Sequence, residues 1–100
     1  EDMLMMLGRM SAEERLASCL MSFSRRFARL GTGAVEFRLS MSRQDLGDYL
    51  GLALETVSRL LSRFQEENLI NVHGRQIVLR DLDRLRAMAA GAPRENSARA

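Results

Sequence analysis

Two glycines, Gly47 and Gly51, interrupt the strongest amphipathic pattern of this chain. Glycine lets a second helix approach closely because it has no side chain, and it tolerates the left-handed backbone of a sharp turn. Apolar residues lie at helical spacing on both sides of the pair: Leu46, Leu50, Leu52, Val57, Leu60, Leu61 and Phe64. Small, apolar and glycine residues at these offsets predict a helix-turn-helix in which Leu52 fills the turn.

The first helix of this unit has a recognisable beginning. Ser42 and Asp45 have the spacing of an N-cap and its backbone partner, so the helix should begin directly after Ser42. Its apolar side is expected to consist of Leu46, Tyr49 and Leu50. The second helix should follow the turn and run over about residues 54–67.

A longer helix is predicted before this unit. Ser11 and Glu14 form a capping-box pattern, and Gly31 and Gly33 can end a helix, so we expect it over residues 12–30. Its apolar positions recur at helical spacing: Leu16, Cys19, Leu20, Phe23, Phe27 and Leu30.

Short strands and a last helix complete the predicted fold. Val35, Phe37 and Leu39 alternate with charged residues, which predicts a half-buried strand. Two apolar pairs flank residues 73–76, which predicts a β-hairpin with glycine at its turn, and Asp81 can cap a last helix. The fold class is therefore mainly α with a small β-hairpin, a winged helix-turn-helix. One core should contain Phe23, Phe27, Leu46, Leu50, Val57, Leu61 and Phe64.

The chain divides into three predicted segments. Residues 11–90 form the winged helix-turn-helix domain, and residues 91–100 lack apolar periodicity, as a disordered tail does. Residues 1–10 are expected to be the end of a dimerisation helix that belongs to a longer protein. Its apolar seam would consist of Met3, Leu7 and Met10.

Composition excludes several classes of function but does not itself select one. All 15 of the Lys and Arg residues are arginine, which suits phosphates and guanine edges, yet the net charge is only +2. Cys19 is the only cysteine, so an internal disulfide is impossible, no Cys/His metal spacing exists, and a cytoplasmic protein is expected. No apolar stretch is long enough to span a membrane.

The second helix of the unit carries polar side chains opposite its apolar stripe. Glu55, Ser58 and Arg59, which we call the recognition face, lie towards its N-terminus, with Ser62 on the same side. A guanidinium can bind guanine, a carboxylate can accept from cytosine, and a hydroxyl can meet several base edges. The alternative is a solvated ion pair between Glu55 and Arg59, worth a few tenths of a kcal/mol.

The predicted hairpin tip offers a second set of polar side chains. Arg75 is expected to contact a phosphate, although the tip could also be a simple polar turn. His73 has no partner ligand nearby in the sequence, and Cys19 is expected to be a packed core residue rather than a nucleophile. No catalytic motif is visible, so an enzyme is not expected. The main rival to DNA binding is a winged helix that serves as a protein-interaction module.

The chain resembles a known family over about residues 3–88. The run SRQDLGDYLGLALETVSRLLSRFQEENLINVHGRQIVL resembles the C-terminal DNA-binding domain of Crp–Fnr transcription regulators. The segment AEERLASCLMSFSRRFARLG and the ETVSR core, with serine where the Crp branch has glycine, point to the Fnr branch.

The resemblance implies roles for individual residues. Arg59 would contact a guanine, Glu55 a cytosine paired to guanine, and Ser58 a thymine of a TTGAT-type half-site in double-stranded DNA. Backbone contacts would come from Ser42, Arg43, Gln44, Thr56 and, on the wing, Arg75. The sequence departs from the family at Ala53, where a Ser or Thr usually caps the recognition helix, and the loss of that cap costs about 1 kcal/mol.

The resemblance also implies features of the whole protein. Family members place an effector-sensing β-barrel and a dimerisation helix before this domain, and Fnr-branch members often carry an iron–sulfur cluster there. A homodimer is therefore expected for the full-length protein, and no cofactor is expected in this part of it. The loop at residues 31–36 resembles a surface that meets RNA polymerase in relatives.

Overall fold

The computed structural model describes residues 10–31, 33 and 35–91. Four helices and three strands make up this part of the chain. In chain order they are α1 (Ala12–Leu30), β1 (Glu36–Arg38), α2 (Arg43–Leu50), α3 (Leu54–Glu66), β2 (Ile70–His73), β3 (Gln76–Leu79) and α4 (Leu82–Ala89). The predicted dimerisation segment, apart from Met10, and the predicted tail, apart from Gly91, lie outside the described residues.

Local side-chain caps start three of the helices where the sequence predicts. Ser11 and Glu14 form a complete capping box at α1. The Ser42 hydroxyl accepts from the Asp45 amide at α2, and the Asp81 carboxylate accepts from an amide in the first turn of α4. These caps satisfy amide groups that a helix start otherwise leaves without partners.

The three strands form one antiparallel sheet in the order β1-β3-β2. The hairpin β2–β3 turns at Gly74, whose φ of 62° is left-handed, as the sequence predicts. We call this hairpin the wing. The sequence predicts the first strand but not its partner, which is β3: Phe37 lies opposite Ile77. The sequence also predicts Val35 on the buried side of the first strand, but the strand begins at Glu36 and Val35 is 45% exposed.

The core lies where the helix-turn-helix, the sheet, α1 and α4 meet. All predicted core residues except Phe27 are buried, and Phe27 is half-buried and stacks on Phe37 at 5.1 Å between ring centroids. The prediction for Tyr49 was wrong, because this side chain is 59% exposed. Helix α2 packs mainly on α3, and this contact covers Leu46 and Leu50 but leaves the neighbouring Tyr49 in solvent.

Candidate nucleic-acid interface

The turn between α2 and α3 depends on two glycines. Gly51 ends α2 in the left-handed conformation, with φ 73°. The Gly51 and Leu52 amides both donate to the Gly47 carbonyl, the latter at 2.8 Å. A Cβ on Gly47 would lie 2.6 Å from the Leu52 carbonyl oxygen, so only glycine lets the turn pack this closely on α2. The predicted close approach is confirmed, and it fixes α3 relative to α2.

Helix α3 presents the recognition face to solvent. Its opposite side buries Val57 and Phe64 completely, which fixes the rotation of the helix about its own axis. Glu55 and Arg59 are exposed and Ser58 is half-buried. Within the described part of the chain, neither the Glu55 nor the Arg59 side chain forms a hydrogen bond or an ion pair, so the alternative ion pair between them is not formed in this structure. Their polar groups are therefore available to a partner.

The start of α3 lacks a side-chain cap. Ala53 occupies the N-cap position in the extended conformation, with φ −67° and ψ 150°, and makes no capping hydrogen bond. The first amides of α3 therefore lie at the positive end of the helix dipole without a side-chain acceptor, an arrangement that favours an anion. Thr56, in the first turn, is half-buried.

The start of α2 and the wing turn lie together. One shallow crevice is lined by Ser42 and Arg43 from α2 and by Gly74 and Arg75 from the wing, over an apolar floor. Both arginines are exposed. The residues of the recognition face lie outside this crevice. The structure thus brings Ser42, Arg43 and Arg75 to one crevice, distinct from the recognition face, whereas Gln44 does not line it.

Some predicted backbone-contacting side chains also bond within the domain. The Arg75 guanidinium donates from Nη1 to the Ser40 carbonyl at 2.8 Å, which steadies the wing turn and leaves other N–H groups free. Gln44 donates to the Asp48 carboxylate at 3.3 Å, four residues along α2. The Arg43 side chain forms no hydrogen bond or ion pair with the described residues.

Other polar and reactive residues do not form a second site. Burial raises the pKa of the Cys19 thiol to about 12, against a smaller opposing effect of Arg26, so this thiol is protonated at neutral pH. Its assignment as a packed core residue is confirmed. His73 is exposed, and no group of His, Cys, Asp or Glu in the described ranges could hold a metal ion. None of the described helices is both long and apolar enough to cross a membrane.

Two contacts of α1 escape prediction from the sequence. Arg15 donates from Nη1 to the Leu50 carbonyl at 3.1 Å, and Glu13 forms an ion pair with Arg63 on α3. The partners are separated by 35 and 50 residues along the chain. Helical periodicity cannot indicate contacts at that separation, because they depend on how α1 crosses the helix-turn-helix.

Comparison with known proteins decides the family. The Crp-like helix-turn-helix domain matches residues 14–88, which include the whole of α2, α3 and the three-stranded sheet. The chain belongs to this family. It is a DNA-binding domain of Crp–Fnr regulators, in the Fnr branch, as the sequence predicts.

Similar proteins agree with this assignment. The chain is 48% identical over 89 residues to the fumarate and nitrate reduction regulatory protein of Salmonella typhimurium, covering 89% of this chain and 36% of that protein. It is 49% identical over 85 residues to the regulatory protein HlyX of Actinobacillus pleuropneumoniae, covering 85% and 35% respectively. The chain thus spans about a third of the length of these relatives.

A solved structure agrees in fold as well. The structure of FixK2 from Bradyrhizobium japonicum matches with a TM-score of 0.77 and 46% identity, covering 90% of this chain and 44% of that one. The winged helix-turn-helix fold predicted from the sequence is therefore confirmed. The relatives are named as regulators, in keeping with a binding domain rather than an enzyme.

Proposed function

We propose that this domain binds double-stranded DNA sequence-specifically, with α3 as the recognition helix in the major groove, as the output domain of a bacterial transcription regulator. The observation that carries the proposal is the recognition face. Two charged side chains, unpaired within the described residues, and a hydroxyl lie in the N-terminal half of a helix whose other side is locked into the core. Recognition helices contact bases with their N-terminal residues.

Each member of the recognition face has a proposed partner in a TTGAT-like half-site. Arg59 can donate two parallel hydrogen bonds to guanine, and Glu55 can accept from the amino group of a cytosine paired to guanine. Ser58 meets a thymine. Because the side chains of Glu55 and Arg59 make no hydrogen bonds or ion pairs within the described part of the domain, neither has to break one to reach a base.

Five further residues are proposed to contact the phosphate backbone. Ser42, Arg43 and Gln44 at the start of α2, Thr56 in the first turn of α3, and Arg75 on the wing would bind phosphates. The shared crevice supports this assignment for Ser42, Arg43 and Arg75, because it holds two exposed guanidinium groups beside a helix start. Phosphate contacts position the protein on the duplex, while base contacts select the sequence.

Fluorescence anisotropy with two labelled duplexes tests the proposal. One duplex carries two inverted TTGAT half-sites about one helical turn apart, and the other carries the same bases in scrambled order. Arg59→Ala should cost about 1–3 kcal/mol on the first duplex and relax the preference at one base pair. Arg86→Ala is the matched control, since Arg86 is exposed on α4 and its ion pair is with Asp83, three residues away.

Two results would contradict the proposal. If Arg59→Ala left both affinity and base preference unchanged, the recognition face would not contact bases. If the unmodified chain bound neither duplex at any salt concentration, a protein-interaction module would be the better interpretation, because phosphate contacts make DNA binding fall steeply with salt.

We also propose properties of the whole regulator. It would act in the cytoplasm as a twofold homodimer on a near-palindromic site, because paired half-sites need two recognition helices at matching separation. An iron–sulfur cluster, where a full-length relative has one, would belong to a sensing domain outside the matched residues, and contact with RNA polymerase would involve the loop at residues 31–36. Sedimentation of this chain should show a monomer at micromolar concentration, since three apolar side chains, Met3, Leu7 and Met10, are too few to offset the about 4–15 kcal/mol cost of association.

A further inference from the structure

The first turns of α1 reach both helices of the helix-turn-helix. Glu13 forms an ion pair with Arg63 in the last turn of α3. Arg15 donates from Nη1 to the carbonyl oxygen of Leu50, the last residue of α2, at 3.1 Å. Because Glu13 and Arg15 are only two residues apart, one short stretch of α1 is tied to the ends of both helices.

The end of α2 has no basic residue of its own. The last turn of this helix contains none, although its final carbonyls form the negative end of the helix dipole. The Gly47 carbonyl accepts amides from the turn, whereas the Leu50 carbonyl accepts from the Arg15 guanidinium. Arg15 therefore supplies from α1 the cation that favours this helix end, directly before the chain turns towards α3.

The guanidinium also lies beside the turn. A Cβ placed on Gly51 would lie 3.2 Å from Arg15 Nη1, which shows how closely the two groups approach. Arg15 Nε is buried and has no hydrogen-bond partner among the described residues. A buried donor without a partner is unfavourable, so Nε does not stabilise the fold. The favourable contribution of Arg15 comes from the hydrogen bond of Nη1 and from its position beside the turn.

The start of α3 lacks the local stabilisation that the other helix starts have. Ala53 gives this helix no side-chain cap, so the three-residue connection from Gly51 to Ala53 lacks the local hydrogen bond that starts α1, α2 and α4. Arg15 lies at the beginning of this connection, bonded to the Leu50 carbonyl directly before it and close to Gly51.

We propose, on the basis of the proposed DNA-binding function, that Arg15 is a positioning residue for sequence recognition. It holds the end of α2 and the following turn in place, so that α3 presents the recognition face at the angle that base contacts require. Arg15 does not itself contact DNA. It acts through the Leu50 carbonyl and the backbone of Gly51.

The test uses Arg15→Met in the full 100-residue chain, because methionine keeps much of the apolar stem and removes both charge and donors. Affinity is measured for the TTGAT duplex and for the scrambled duplex over a range of salt concentrations. We expect about a tenfold loss on the TTGAT duplex, as for removal of one hydrogen bond from a charged group. Affinity for the scrambled duplex and the salt slope should not change.

Two further variants sharpen the result. Arg15→Lys keeps the positive charge and a hydrogen-bond donor, so its affinity for the TTGAT duplex should be close to that of the unmodified chain. Arg86→Met removes an exposed arginine on α4 and should leave both affinities within error of the unmodified chain. If circular dichroism shows that Arg15→Met does not fold, Arg15→Lys replaces it, with a smaller loss expected on the TTGAT duplex alone.

Two affinity results would overturn the proposal. An equal loss on both duplexes with a flatter salt slope would make Arg15 a phosphate contact. Unchanged affinity on the TTGAT duplex with a lower melting temperature would make it a stabilising residue only.

Amide hydrogen exchange provides a readout without DNA. Arg15→Met should speed exchange at residues 51–57 relative to α4, and a uniform change across the domain would count against a role at the turn. If the unmodified chain fails to distinguish the duplexes, the DNA-binding proposal fails while this measurement still decides whether Arg15 orders the turn.

Discussion

Replacement of Gly47 by alanine tests the geometry of the helix-turn-helix directly. The new Cβ would lie 2.6 Å from the Leu52 carbonyl oxygen and 3.4 Å from Cγ2 of Val57. The first distance is far shorter than an ordinary contact, and a backbone oxygen cannot rotate away as a flexible side chain can. The turn or α3 must therefore move.

The magnitude follows from two opposing effects. Alanine is favoured over glycine inside a helix by about 1 kcal/mol, while overpacking costs about 1–3 kcal/mol, and a backbone clash belongs at the upper end. The expected net loss for Gly47→Ala is about 1–2 kcal/mol of unfolding free energy. For a domain of this size that lowers the melting temperature by about 5–15 °C.

Thermal unfolding followed by circular dichroism measures this loss. The control is Ser62→Ala, at an exposed position of α3, which should change the unfolding free energy by less than about 0.5 kcal/mol. The sign of the change in unfolding free energy tests whether the turn packs closely on Gly47. If Gly47→Ala were as stable as the unmodified chain or more so, helix propensity alone would govern this position and the close approach of the turn would be refuted.

Three other predictions concern the wing, the start of α3 and the buried thiol. Arg75→Ala should weaken binding to both duplexes about equally and flatten the salt slope by roughly one unit; a loss confined to the TTGAT duplex would argue against a phosphate contact. Ala53→Ser should raise the unfolding free energy by about 1 kcal/mol through a new cap, whereas Ala28→Ser, at an exposed position in α1, should not stabilise the domain. Cys19 should react slowly with thiol reagents at pH 8, because its pKa is raised to about 12. Since the unfolded thiol ionises from about 9.0, the unfolding free energy should fall between pH 9.0 and 12, and that of Cys19→Ala should fall less over the same range.

Local sequence determines the beginnings and ends of the elements in this domain. A cap at Ser11, Ser42 or Asp81 acts on an amide three residues away, so its effect is visible in a short window of sequence. Left-handed turns at Gly51 and Gly74 are equally local, since they depend on the absence of a side chain. The helix-turn-helix and the wing can therefore be predicted from sequence alone.

The position of the recognition face can also be predicted, because helical periodicity places Glu55 and Arg59 opposite Val57. Sequence does not predict whether those two charged groups pair with each other, since a paired and an unpaired arrangement suit the same four-residue spacing. The structure leaves them unpaired within the described residues, and that availability is what a base-contacting role requires.

Only the tertiary structure decides contacts between distant parts of the chain. Pairing of β1 with β3, the exposure of Tyr49, and the contact of Arg15 with the Leu50 carbonyl all depend on how elements cross one another. Neither propensity nor periodicity contains that information, because each describes one element at a time. A sequence pattern predicts which side of a helix is apolar. Packing between elements decides how much of that side is buried, and it decides which polar group from another element binds the end of the helix.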